Sequence, residues 1–146
     1  MCILKWFLIT GGVLLAIGAG IYLYFGSLTY GDTAKIKPDY TVEALQFIKE
    51  FEQDYKTANK KYAEKIVAVN GTVTATEAAD TTINVKMADS LTGSYLIFAF
   101  QKQHLDEAKT LNPGDKTTIK GSCSDGVYSK ILGVYFISFK RCTINK

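Results

Sequence analysis

Hydrophobic and polar positions along the chain change period three times, and each change marks an element. Ile3 to Phe25 is an almost unbroken apolar run with Lys5 as its sole charge, and no charged residue occurs from Trp6 to Gly31. That run is long enough to cross a hydrocarbon core as a helix. From Asp39 to Lys65 the apolar residues Leu45, Ile48, Phe51, Tyr55, Ala58 and Tyr62 step by three or four, with Lys49, Glu50, Glu52, Gln53, Asp54, Lys56 and Lys60 between them. This pattern predicts an amphipathic helix over 41–63, with Thr41 as N-cap and Glu43 in the first turn. Its apolar stripe is expected to cover the element that follows, because a small domain gains stability from every face it can bury.

Beyond Lys65 the period drops to two. In KIVAVNGTVT, residues 65–74, Val67, Val69, Gly71 and Val73 share one face of a half-buried strand. Gly71 interrupts a β-branched run, which predicts a bulge or bend. A polar loop carrying Glu77 and Asp80 comes next. Asp80 to Met87 then alternates Ile83, Val85 and Met87 against Thr82, Asn84 and Lys86, and SLTGS (90–94) reads as a turn. YLIFAF (95–100) is apolar on both faces and predicts a central, covered strand. QKQHLDEAKT (101–110) returns to a helical period with Leu105 and Ala108 inward, and Asn112-Pro113-Gly114-Asp115 is a strong turn signal. Lys116 to Cys123 and the stretch Gly133 to Ile144 supply the last strands.

Three strands, a short helix and two more strands is the order of a five-stranded Greek-key OB-fold barrel. The predicted fold class is therefore mainly β with α content: that barrel, a leading amphipathic helix and an N-terminal transmembrane helix. The boundaries follow as an anchor over 1–26, a tether over 27–38 and the OB-fold domain over 39–146.

Charge changes this picture in one respect. The chain of 146 residues carries a formal net charge of +3, and without Lys5 the remainder is close to neutral. A protein living on phosphate contacts would carry a strong basic surplus, so nucleic acid is not the favoured ligand. Trp6 at one end of the apolar run and Tyr22, Tyr24 and Tyr30 at the other suit the two interfacial belts of a bilayer. Lys5 and the α-amino group favour a cytoplasmic N-terminus, placing the domain on the outer, periplasmic or cell-surface side. A cleaved signal peptide is the rival reading. Small residues occur at Ala16-Ile17-Gly18 and Gly18-Ala19-Gly20, but Ile21 to Phe25 prolong the run, so an uncleaved single span is favoured. Gly12, Ala16 and Gly20 share a spacing that lets two spans pack closely as a homodimer, although small residues are common in spans without it.

The stretch from Asp39 to the C-terminus resembles the tRNA_anti-like group of OB-fold domains of bacterial envelope proteins. The residues that carry the likeness are the helix end ANKKYAEK, the strand VNGTV, the turn and strand NPGDKTTIKGSC and the closing FKRCTI. The resemblance implies the fold; it does not by itself imply tRNA binding. Cys123 and Cys142 resemble the group's cysteines on its last two strands, which implies a disulfide if the domain is exported. The pair meets in a simple hairpin if the turn lies near Leu132-Gly133 and not if it lies at Asp125-Gly126. Two buried free thiols are the other reading.

Little points to chemistry. His104 is the lone histidine, on a short exposed helix beside Asp106 and Glu107, and there is no CxxC pair, GxSxG, Walker loop or HExxH. No metal, no cofactor and no enzymatic activity are expected. The leading reading is a membrane-anchored, non-catalytic OB-fold binding or scaffold module whose partner is an unknown protein or oligosaccharide. OB-folds bind on the face of strands two and three and the flanking loops, which nominates Lys86, Tyr95, Tyr128 and Lys130. The alternatives are a single-stranded nucleic-acid binder, recognised by a contiguous basic groove with exposed aromatics, and a structural partner in an envelope assembly.

Overall fold

The computed structural model describes residues 2–27, 31–78 and 81–146, with side chains of residues 1–8 and 25–30 left aside. It divides into two units, Met1–Gly31 and Asp32–Lys146. The first unit is the helix α1, Cys2–Ser27, 26 residues without an acidic first turn or a basic last turn. Its described side chains run from Ile9 to Tyr24, and among the described residues no helix is long and apolar enough to cross a membrane. The belt residues Trp6 and Tyr30, by their side chains, lie outside the described set, as do residues 28–30 of the predicted tether and Asp80.

The second unit opens on a short 3-10 turn at Thr33–Lys35, followed by β1 (Tyr40–Glu43), α2 (Ala44–Tyr62), β2 (Ile66–Thr72), β3 (Ala75–Ala78) and β4 (Ile83–Ala88). Then come β5 (Tyr95–Phe100), a 3-10 turn at Lys102–His104, α3 (Leu105–Lys109), β6 (Lys116–Ser129) and β7 (Val134–Ile144). The strands form one seven-stranded sheet in the order β1-β2-β6-β7-β5-β4-β3. The predicted five-stranded barrel is thereby corrected to an open seven-stranded sheet. The first predicted strand is split: β2 pairs antiparallel with β6 at one side of the sheet, and β3 pairs with β4 at the other. Only Val73 and Thr74 separate them. The Val73 amide donates to the Asp115 carbonyl and the Thr74 amide to the Lys86 carbonyl, so the chain leaves one ladder and joins another within two residues. The sheet comes round on itself through this covalent joint and not through a closing ladder. Glu77, expected in a loop, sits in β3.

Two further corrections concern the leading helix. Thr41 is not its N-cap: Tyr40–Glu43 pairs parallel with Val67–Asn70 as an edge strand, and Glu43 precedes the helix without a side-chain cap bond. The buried stripe is Ala44, Phe47, Ile48, Phe51, Ala58 and Tyr62, while Leu45 is 54% exposed. A kink at Asp54, with φ −156° and ψ 87°, divides the helix while the buried positions keep their three-to-four spacing on both sides of it. There the carboxylate accepts from the amide (3.1 Å) and hydroxyl (2.7 Å) of Thr57, so Asp54 caps a second helical segment inside α2. These bonds hold the Asp54 carboxyl below its usual range.

The strands behave as their period demands. Ile83, Val85, Met87, Leu96, Phe98, Ile137 and Phe139 turn inward and meet Phe47, Phe51 and Tyr62 of α2 in one core. Phe98 and Phe139 stack at 4.8 Å, and Phe47 meets Tyr62 edge-on at 4.8 Å. Gly71 is no bulge. It pairs in register with Thr117, and a Cβ there would lie 2.7 Å from both Ala44 Cβ and Met87 Sδ, so glycine is required by the close approach of α2.

Candidate functional site

Alternation along β3, β4, β5 and β7 carries one set of side chains outward, and the register aligns them in rows. Ala88, Tyr95, Phe136 and Val127 form the first row, followed by Ala75, Lys86, Ile97, Ser138 and Asp125, then Glu77, Asn84 and Ala99. Two rings lie side by side in the first row. Tyr95 and Phe136 are stacked, with centroids 6.0 Å apart and planes 18° from parallel. The Lys86 ammonium sits 5.3 Å from the Tyr95 ring centre and 2.6 Å from Glu77 Oε1. The face therefore offers two half-buried aromatic rings bordered by one cation that is already paired, with the exposed Asp125 on the same surface.

Of the four residues nominated from sequence, Lys86 and Tyr95 are brought together and Tyr128 and Lys130 are not. Tyr128 pairs with Tyr135, one step from the Val127–Phe136 pair, so both point to the opposite side of the hairpin. There Tyr128 packs 4.9 Å from Tyr135, which in turn meets Tyr55 of α2 at 6.0 Å. Lys130 lies in the exposed turn between β6 and β7. Phe136 is the residue that sequence reading missed. Its signal was present in VYFISF, where Phe136 and Phe139 differ by an odd step and must face opposite sides of a strand.

A second concavity, about 390 Å³, lies where α2 starts and is lined by Glu43, Leu45, Asn70, Thr72, Asp89 and Leu91 among others. Its polar wall is self-satisfied: Asn70 donates to Glu43 (2.9 Å) and accepts from Thr118 (2.6 Å). No Lys or Arg belongs to its lining.

The cysteines do not pair. Cys123 and Cys142 are both buried free thiols, which corrects the expected disulfide. The hairpin turn does lie near Leu132-Gly133, closed by the Gly133 amide on the Ser129 carbonyl. However, register shifts between Lys120 and Ser122 and between Cys123 and Asp125 set Cys123 opposite Phe139, and Cys142 packs its sulfur over Gly121. Burial pushes the Cys123 thiol up to about 12 and raises that of Cys142 well above its ordinary value. Neither is an activated thiolate.

His104 is also placed differently from the exposed position expected. Its side chain is only 13% exposed, and Nε2 lies 2.7 Å from Asp32 Oδ1. Among the described residues no group of three or more His, Cys, Asp or Glu is arranged to hold a metal ion.

A family model described as tRNA_anti-like matches residues 5–132. The chain belongs to the tRNA_anti-like family. The match begins inside α1 and stops before β7, whereas the likeness read from sequence ran from Asp39 to the C-terminus. No curated protein matches the chain. Among solved structures, the tRNA_anti-like domain is similar to a proposed nucleic acid-binding lipoprotein of Klebsiella pneumoniae, at 20% identity and TM-score 0.57, over 72% of this chain and 91% of that one. An aspartyl-tRNA synthetase of Entamoeba histolytica matches at 13% identity and TM-score 0.46, over 80% of this chain and 23% of the enzyme. An asparaginyl-tRNA synthetase of Pyrococcus horikoshii matches at 15% identity and TM-score 0.39, over 57% and 20%. The likeness to the Klebsiella lipoprotein supports an OB-like fold for the domain.

Proposed function

We propose that the chain is a non-catalytic binding module that takes a ring-bearing chain ligand on the outer face of β4, β5 and β7. The observation that carries this is the Tyr95–Phe136 stack beside Lys86, because a partly exposed pair of near-parallel rings gives a sugar or base an apolar surface to pack on. The uncharged run from Trp6 to Gly31 and the helix α1 support a further part of the reading, in which the N-terminal segment is a single-pass anchor in the cytoplasmic membrane and the domain faces outward.

Single-stranded nucleic acid is the second reading. It is favoured by the cation over the Tyr95 ring and by the proposed nucleic-acid binding of the Klebsiella lipoprotein. It is weakened by Glu77, which holds the Lys86 charge at 2.6 Å. Titration of the full chain in detergent with a single-stranded oligonucleotide and with a neutral oligosaccharide, read by NMR on the Tyr95 and Phe136 rings, tests both. Shifts confined to those rings and lost in Tyr95→Ala support the module, and the titrant that produces them chooses the ligand. Rings that respond to neither titrant refute the proposed face. Retention of the chain in the membrane fraction after carbonate washing tests the anchor separately.

A further inference from the structure

Asp32 to Ile36 is held down by side chains from three different elements. The Thr33 amide donates to Gln101 Oε1 at 3.4 Å, and the Lys120 ammonium donates to the carbonyls of Ala34 (3.1 Å) and Ile36 (2.8 Å). Asp32 reaches His104 at 2.7 Å. Lys120 is 4% exposed and Thr33 1%, so the segment closes over a lysine that it also satisfies. What sequence reading took for the second half of a free tether is a strap.

The histidine stands between two carboxylates. Nε2 faces Asp32 at 2.7 Å, and Nδ1 faces Glu107 Oε2 at 3.5 Å. A neutral imidazole carries one N–H, so one ring nitrogen would direct a lone pair at a carboxylate; the imidazolium donates on both sides. Glu107 is fixed to the domain independently of the ring. It accepts from the Thr143 hydroxyl (3.0 Å) and the Ile144 amide (3.3 Å) and pairs with Lys146 (3.3 Å). The Asp32 carboxylate is held by the ring and by the Ala34 amide of its own strap. Lys35 of the strap acts on Asp32, and Lys102 and Asp106 belong to the helical segments that carry His104 and Glu107, where Asp106 is tied to Lys109. Lys120 of β6 bonds only the strap carbonyls.

We propose that the strap is a proton-dependent latch: the charged His104 ring binds Asp32 more tightly than the neutral ring does, so loss of its proton loosens Asp32–Ile36 on the domain. The latch is tight while the ring is charged and loosens when the ring is neutral, so acid closes it and base opens it. The hydrogen bond from His104, then that from the Ala34 amide, keeps the Asp32 carboxyl below its usual range, so acid does not open the latch until Asp32 itself takes a proton. The next fixed point is Asp39, whose amide donates to the Ile66 carbonyl at 2.7 Å and whose carboxylate accepts from the Ile66 amide at 2.9 Å. Opening therefore adds residues 32–38, roughly 23 Å of extended chain, to the linker that follows α1. The Lys120 ammonium is uncovered at the same time.

Hydrogen exchange on the full chain, corrected for intrinsic rates, tests the latch at about pH 5.5 and about pH 8. Protection of the Thr33 to Ile36 amides should fall roughly tenfold between the two, the factor carried by one charge-assisted hydrogen bond at a half-exposed site. His104→Gln should show low protection at both values, and Asp32→Asn the same from the strap side, with the Val67 and Phe98 amides unchanged as a check on folding. Lys120→Met should open the strap without regard to pH. Equal protection of the wild-type strap at both values, or a pH dependence that survives in both His104→Gln and Asp32→Asn, overturns the latch.

Discussion

Asn59 and Gly126 exchange two hydrogen bonds: the Asn59 side-chain amide donates to the Gly126 carbonyl at 2.8 Å, and the Gly126 amide donates to Asn59 Oδ1 at 2.7 Å. A side chain on α2 thus stands in for a neighbouring strand beside β6. The two backbones come close enough that a Cβ on Gly126 would overlap the Phe51 ring. Replacing Asn59 by Ala strips both partners from a buried peptide group and should cost about 2 kcal/mol, read as a lower urea midpoint at unchanged slope. Asn59→Asp keeps the acceptor and loses the donor, and should cost less. An unchanged midpoint for the alanine variant would mean that water replaces the side chain there.

Gly71→Ala tests the close approach of α2 to β2. With Ala44 Cβ and Met87 Sδ each 2.7 Å from the added carbon, something must move. The methionine tail is flexible but the helix is not, so a loss of about 1–3 kcal/mol is expected, the usual range for overpacking. A melting temperature equal to wild type would show that α2 can rise from the sheet at no cost.

The buried thiols give a pH dependence of defined sign. The folded value of Cys123, about 12, stands above the 9.0 of an ordinary thiol, so the contribution of the protonated, buried thiol is fully present below about pH 9 and is lost as pH rises towards 12. At pH 8 the folded protein carries on the order of a thousandfold less Cys123 thiolate than a free cysteine would. In a Cys2→Ser background, disulfide reagents should therefore modify Cys123 and Cys142 only at the rate of unfolding. Rapid labelling of either in the native state at pH 8 would contradict the burial.

On the outer face, Tyr95→Ala and Phe136→Ala should each weaken ligand binding by about tenfold or more, the worth of one stacked ring. Tyr128→Ala should leave it unchanged, because that ring packs on Tyr135 on the other side of the hairpin. If the ligand is single-stranded nucleic acid, one cation already paired with Glu77 implies a shallow salt dependence, a slope of about −0.7 or smaller in magnitude. A steep slope would place the phosphates elsewhere.

Period two was enough to find β4 and the outward position of Lys86, and an apolar run marked β5. It failed where tertiary contacts set local structure. Tyr40–Glu43 looks like the approach to a helix and becomes a strand because β2 offers a free edge. Phe47, four residues before Phe51 on the same face, widens the buried stripe beyond the single line of positions read from spacing. The separation of Cys123 from Cys142 depends on the register of one hairpin, in which Ser129 pairs with Val134 and Lys120 with Thr143, and alternation does not encode where the turn is centred. The partner of His104 lies 72 positions away, beyond the reach of any local pattern.

Both margins of the sheet are four-residue strands, β1 and β3, and each carries an exposed glutamate, Glu43 or Glu77. Unpaired edges invite neighbouring molecules to add strands and so to aggregate, and short length and outward charge are what oppose this. A chain that comes round on itself at Val73–Thr74 without a closing ladder keeps two edges, and it keeps them brief and negatively charged. The open sheet is thereby guarded against end-to-end growth at both of the places where growth could begin.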